Sequence, residues 1–158
     1  ILESPVTIIN EALLDVNIIK VGHNYYAFGI KLLQNDQGDN CHLRIYKSDT
    51  LLGHYVLYQE ISNPLAQERG AGAFFWYKGK LIRPVQNCEG DYGRNVIFKE
   101  ISLNNGVFEE SVIGKLFPSN KYPEGLHTFN ILNNTYVIDG MGYNVGKWMT
   151  YLKRILHK

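Results

Sequence analysis

The chain has 158 residues, 45% hydrophobic and 20% charged, which fits one globular domain with a real core and excludes a disordered tract. A formal net charge of +1 supplies no field for nucleic acid or acidic substrates, and no apolar run approaches the roughly 20 residues of a membrane helix. The 13% aromatic share leans toward β-structure and toward flat-faced ligands such as sugars.

In chain order, Val6 to Ile9 reads as a short outer strand after Pro5. Glu11 to Asp15 is a turn-like entry to an apolar run, Val16 to Lys20, which turns at Gly22-His23 into an aromatic run, Tyr25 to Leu33. A polar loop from Gln34 to Asn40 follows, then strands at Cys41 to Tyr46 and Tyr55 to Ile61, joined through Ser48 to Gly53. The order then restarts with Ala71 to Tyr77, a Lys78-Gly79-Lys80 turn and Leu81 to Val85. A polar link from Gln86 to Gly93, an alternating run from Tyr92 to Ile101, and Val107 to Ile113 complete that unit. It starts a third time with Leu126 to Leu132, an Asn133-Asn134 turn and Thr135 to Ile138. Hairpin turns at Gly22, Gly79 and Asn133 thus recur roughly every 55 residues, a spacing suited to four-stranded propeller blades.

This period predicts an all-β chain of two full blades, at about 11–62 and 68–114, a half blade at about 124–140 and a stray strand at the amino end. Near the carboxyl end Trp148, Met149, Leu152, Ile155 and Leu156 fall mostly at helical spacing among Lys153, Arg154, His157 and Lys158. Residues 145–158 are therefore expected to form a short amphipathic helix, packed on the propeller's side or presented to a membrane surface or a partner. The chain opens at Ile1 with no initiator Met and no signal pattern, and reads as a piece of a longer protein. Cys41 and Cys88 leave a disulfide and two separate thiols both open.

A propeller gathers the first strand of each blade around a central funnel, with ligands at one mouth. Polar residues at the starts of those strands are the candidates: Asp15, then Glu68 with Arg69, then His127 with Thr128. Arg69 and Arg83 would fork onto a carboxylate or phosphate, Tyr92 would stack or donate, and Gln86 and Asn87 would read hydroxyls. The competing structural reading has Arg83 and Gln86 tie the blade link to backbone carbonyls. It gives Tyr92 a buried ring at a strand entry and Asp139 a turn in which it accepts backbone amides. The histidines and cysteines show no metal-ligand spacing, and there is neither a G-x-S-x-G serine nor a phosphate-binding glycine loop, so no metal or cofactor is expected.

Several ordered motifs together resemble one family. They are Arg69-Gly70-Ala71-Gly72, the Gly-Lys-Leu-Ile-Arg-Pro-Val-Gln-Asn-Cys run from Gly79 to Cys88, Tyr92-Gly93-Arg94, Gly125-Leu126-His127-Thr128 and Val137-Ile138-Asp139-Gly140. With Ser48-Asp49-Thr50-Leu51-Leu52-Gly53 they are similar to the five-bladed propeller domain of plant glucosamine inositolphosphorylceramide transferases and their bacterial relatives. The resemblance covers most of the chain and departs at Asn87, where the family carries Asp. It implies the carboxyl-terminal half of a five-bladed ring, the other blades coming from a longer parent chain or a second copy.

That propeller in turn resembles arabinanase-like and fructosidase-like hydrolases, whose funnel holds three carboxylates. By this likeness Asp15 takes the place of a tuning carboxylate and Glu68 lies near that of the acid, although the register favours Arg69 pointing inward; the base falls outside the chain. The expectation is a carbohydrate-binding or accessory propeller of a glycan- or nucleotide-sugar-processing protein, its ligand a carbohydrate or sugar phosphate. The alternative is a glycoside hydrolase or glycosyl-transfer enzyme that uses Asp15 and Glu68 and is completed by missing blades.

Overall fold

The computed structural model describes residues 4–32, 41–63, 69–89, 93–133 and 135–142. Alternating apolar runs and tight turns give three antiparallel sheets in strict chain order. β1 (Leu14–Val21), β2 (Asn24–Leu32), β3 (Cys41–Ser48) and β4 (Val56–Asn63) make the first. β5 (Phe75–Tyr77), β6 (Lys80–Asn87), β7 (Asn95–Asn104) and β8 (Val107–Leu116) make the second. β9 (Phe129–Leu132) and β10 (Thr135–Ile138) form a separate hairpin. The described residues contain no helix, and the helix expected over 145–158 lies outside them.

The period-2 pattern decides which faces meet. Tyr26, Phe28 and Ile30 on β2 and Leu43 and Ile45 on β3 pack against Leu81, Ile101 and Phe108 of the second sheet, forming the main core. Its rings meet edge to face, Phe28 to Phe108 at 5.2 Å and Tyr26 to Phe108 at 4.9 Å. Gln59 on β4 also acts across this interface. Its Nε2 donates to the Phe108 carbonyl at 2.9 Å and its Oε1 accepts the Phe108 amide at 2.8 Å, so an amide side chain imitates a neighbouring strand. Ala71, Val96 and Leu126, with Phe98, Leu116 and Phe129, join the second sheet to the hairpin.

Two sequence expectations change. The stray strand at Val6 to Ile9 is not a strand: residues 4–13 form an irregular strap, bent at Ile8 and Glu11, that packs on the outer face of the first sheet. A segment lying on a sheet face, rather than along its edge, contributes side chains and cannot extend the ladder. Ile8, Ile9 and Leu13 cover Ala27, Tyr46 and Tyr55, and the Ile8 carbonyl accepts the Tyr55 amide at 3.2 Å. Glu11 pins the strap through Arg44 Nη1 at 2.6 Å and Lys31 Nζ at 3.6 Å. Arg44 Nε reaches Glu60 at 2.5 Å, and His42 Nδ1 reaches the same carboxylate at 2.8 Å. His42 and then Arg44 hold the Glu60 carboxyl below its ordinary value. Burial pushes Glu11 up, but Arg44, Tyr46 and Lys31 outweigh it and the net direction is down.

The second change is that the strand expected over Ala71 to Tyr77 is broken. Only Phe75–Tyr77 pairs continuously, and Gly70 makes an isolated bridge to Val85. At Gly72, φ is +137°, and a Cβ there would collide with the Phe129 carbonyl. Pro84 accounts for the break. In an antiparallel ladder Ala71 and Pro84 would exchange two bonds, one each way. The Ala71 amide does donate to the Pro84 carbonyl at 3.0 Å, but proline has no N–H to return. The Ala71 carbonyl accepts the Phe129 amide instead, at 2.6 Å, and the hairpin docks there.

Candidate functional site

The residues at the starts of the first strands of the three sheets are linked through one set of backbone contacts. Asp15 sits near the start of β1 with φ of +49°, where the β1–β2 register slips between Leu14 and Asn17. Aspartate tolerates this left-handed conformation, and the irregularity re-aims its carboxylate. Asp15 Oδ2 accepts Arg69 Nε at 2.8 Å, with the two side chains 28% and 34% exposed.

The frame behind Arg69 is built by the polar end of β6. The Gln86 amide donates to the Arg69 carbonyl at 2.9 Å, and Gln86 Nε2 donates to the Gly70 carbonyl at 3.0 Å. Asn87 closes the following turn: its Oδ1 accepts the Glu89 amide at 3.0 Å and its carbonyl accepts the Arg94 amide at 3.0 Å. Gln86 and Asn87 are both buried, and these are backbone-holding roles. Cys88, beside them, is a free thiol.

The same link then meets the third unit. Gly93 has φ of +69°, and a Cβ would lie 2.8 Å from the Cβ of His127, so glycine lets the two segments touch. The Gly93 carbonyl accepts the Leu126 amide at 2.6 Å. His127 Nδ1 is in direct contact with Asp139 Oδ2, while Asp139 Oδ1 accepts the amides of His127 at 3.1 Å and Thr128 at 2.7 Å. One carboxylate thus fixes both the ring and the backbone that carries it, leaving Nδ1 no choice of partner. Gly93, Leu126, His127, Asp139 and Met141 line a cleft of about 310 Å³ here.

Asp15, Arg69, Gln86, Asn87 and His127 therefore belong to one connected set. Arg83 does not. It is buried in the second sheet, where its Nη1 reaches Glu110 Oε1 at 2.7 Å, and Lys99 Nζ reaches Glu110 Oε2 at 3.0 Å. Burial pushes the Glu110 carboxyl up, but Arg83 and Lys99 more than reverse this and keep it low. The partner of Arg83 is thus a carboxylate of β8, where the sequence pointed to a ligand or to backbone carbonyls. Glu68 and Tyr92 lie outside the described residues.

A family model described as glucosamine inositolphosphorylceramide transferase 1, N-terminal, matches residues 3–152. The chain belongs to this family. Glucosamine inositolphosphorylceramide transferase 1 of Oryza sativa subsp. japonica is 26% identical over 119 residues, a match covering 65% of this chain and 16% of that protein. Its counterpart in Oryza sativa subsp. indica matches to the same extent. The matched part of the chain thus spans 16% of the length of these relatives. Among solved structures, Cellvibrio cellulosa alpha-L-arabinanase complexed with arabinohexaose is similar at a TM-score of 0.43 and 17% identity, over 64% of this chain and 36% of that one.

Asp139 has a larger part than a turn residue would. The signal lay in the hairpin: Leu132 pairs with Thr135, so counting outward from the turn sets 128 opposite 139 and brings His127 beside it. Glu110 carried no comparable signal, since it meets Arg83 from a strand two removed.

Proposed function

We propose that the chain is a carbohydrate-binding or accessory module of a glycan- or nucleotide-sugar-processing protein, with its ligand at the strand-start mouth beside Arg69 and His127. Membership of the transferase family supports the glycan-related setting. The observation that carries the reading is the pairing at that mouth, Arg69 with Asp15 and His127 with Asp139. Two oriented pairs offer fixed donors and acceptors with little net charge, which suits the hydroxyls of a neutral sugar better than a phosphate. In this reading the sheets are blades of a five-bladed propeller, and the missing blades come from a longer parent chain or a second copy. Asp15 serves as the orienting partner of Arg69, and not as a hydrolytic acid.

Isothermal titration of the purified chain with neutral oligosaccharides and with sugar phosphates tests this. Saturable binding of a neutral oligosaccharide, weakened at least tenfold by Arg69→Met and by His127→Ala, is the expected result. Binding of sugar phosphates alone, or binding indifferent to both substitutions, would overturn the reading. Release of reducing sugar that Asp15→Asn abolishes would favour the hydrolase alternative.

A further inference from the structure

The cleft of about 310 Å³ beside His127 has a polar wall, His127 with Asp139, and an apolar one, Leu126 with Met141. Glycine shapes the space between them. A Cβ at Gly125 would lie 2.8 Å from the Gly93 carbonyl oxygen and 3.2 Å from the Met141 Cε, so a side chain there would displace the methionine. Met141 is also fastened from behind. Its amide donates to the Gly125 carbonyl at 2.9 Å, and its carbonyl accepts the Glu124 amide at 3.0 Å. Walls fixed in this way need little ordering when a ligand arrives.

Two side chains at this cleft are not exhausted by their part in the fold. An ionised carboxylate has about four acceptor sites. Among the described residues, Asp139 fills two of them on Oδ1, with the amides of His127 and Thr128, and one on Oδ2, with His127 Nδ1. The fourth lies on Oδ2, and the side chain is 41% exposed. Met141 is 51% exposed, although it is apolar and its backbone is held on both sides.

We propose that this cleft is a subsite for a single ring of a neutral saccharide, with the C–H face of the ring on Met141 and one hydroxyl donating to Asp139 Oδ2. It rests on the carbohydrate reading above and adds where the ligand is gripped and by which groups. Ligand pockets span about 300–1,000 Å³, so this one lies at the lower limit and suits one ring better than a stretch of chain. A sugar ring gains by covering its C–H face with apolar atoms, while its rim of hydroxyls needs polar partners. Methionine, unbranched and polarisable, adapts to such a face. The unfilled acceptor calls for a donor, which a hydroxyl has and an ionised phosphate lacks.

Methyl spectra of the purified chain, isotopically labelled at its two methionines, test the proposal, with Met141→Ala assigning the Met141 signal. The probes are glucose, galactose, mannose, arabinose and N-acetylglucosamine, the alditol of each, and neutral oligosaccharides of the same sugars. The Met141 methyl is expected to move saturably with at least one single sugar and to stay in place with its alditol, which keeps the hydroxyls and lacks the ring. Asp139→Asn, whose side-chain oxygen can still take the two backbone amides, should weaken that response at least tenfold with an unchanged circular-dichroism spectrum. Met141→Ala keeps both backbone bonds and should weaken binding of the same sugar at least tenfold by titration calorimetry, so the outcome does not hang on Asp139 alone. An oligosaccharide that binds by calorimetry and leaves the Met141 methyl in place would overturn the subsite while the carbohydrate reading stands. So would a methyl that moves with oligosaccharides and with no single sugar, an alditol as effective as its parent, or binding indifferent to both substitutions. If none of these saccharides binds, the subsite and the carbohydrate reading fall together.

Discussion

The Ala71 carbonyl accepts the Phe129 amide at 2.6 Å, on the side where position 84 would otherwise return a hydrogen bond. Proline at 84 withholds that bond, and the third unit takes it. Pro84→Ala restores a competing donor. The expected outcome is faster hydrogen exchange at the Phe129 amide, by about tenfold, with the β2–β3 amides unchanged. Equal exchange in both proteins would show that proline does not govern the docking.

Gly72 allows the same approach sterically. Gly72→Ala adds a Cβ where the Phe129 carbonyl lies and forces an L-residue to hold φ near +137°. A loss of about 2–3 kcal/mol is expected from strain of this kind, read as a lower urea midpoint. The hairpin aromatics Phe129 and Tyr136, which stack at 6.2 Å, should lose their near-ultraviolet dichroism first.

Glu110 holds Arg83 and Lys99 in an interior position. Removing it leaves two cations near one another without their carboxylate, and the expected cost of Glu110→Ala is about 3–5 kcal/mol. Replacing all three by apolar residues of similar volume should cost much less, because no uncompensated charge is then buried. Urea unfolding of both variants checks the pair of outcomes.

Acid should loosen the fold through three carboxylates. Glu11, Glu60 and Glu110 all have folded pKa values below their ordinary range. Each therefore contributes stability that is complete above the unfolded value of about 4.3 and is lost as pH falls through the folded value. Melting temperature should be flat from pH 7 to about 5 and fall below about 4. Glu60→Gln should lower the plateau and make the acid limb shallower. A wild-type profile still flat at pH 3 would contradict this assignment.

The strands were legible because alternation and turn residues agreed. The β9–β10 hairpin follows from Asn133-Asn134 alone, whereas the sequence shows Asp139 only as a turn residue that accepts backbone amides, and its place beside His127 emerges from the hairpin register. The strap was not legible, because Val6-Thr7-Ile8-Ile9 has the composition of a strand whether it joins a sheet edge or lies across a face. Only the position of Arg44 and Tyr55 in space decides between them. Asp15, Arg69 and His127 could be picked out as polar residues at strand starts. That Gln86 and Asn87 hold backbone there, and that Arg83 faces Glu110, depends on which face of β6 is buried. In β6 every position after Lys80 is buried, so alternation gives no clue.

The strap also sets an order of events during synthesis. Each sheet is a meander whose ladder closes short loops as the chain emerges, so pairing can follow translation closely. Ile8 must wait for Tyr55, and Glu11 for Arg44, before either finds its partner. The strap, although made before the rest of its sheet, is thus among the last parts of it to settle, and its isoleucines stay available to chaperones until β4 has been made.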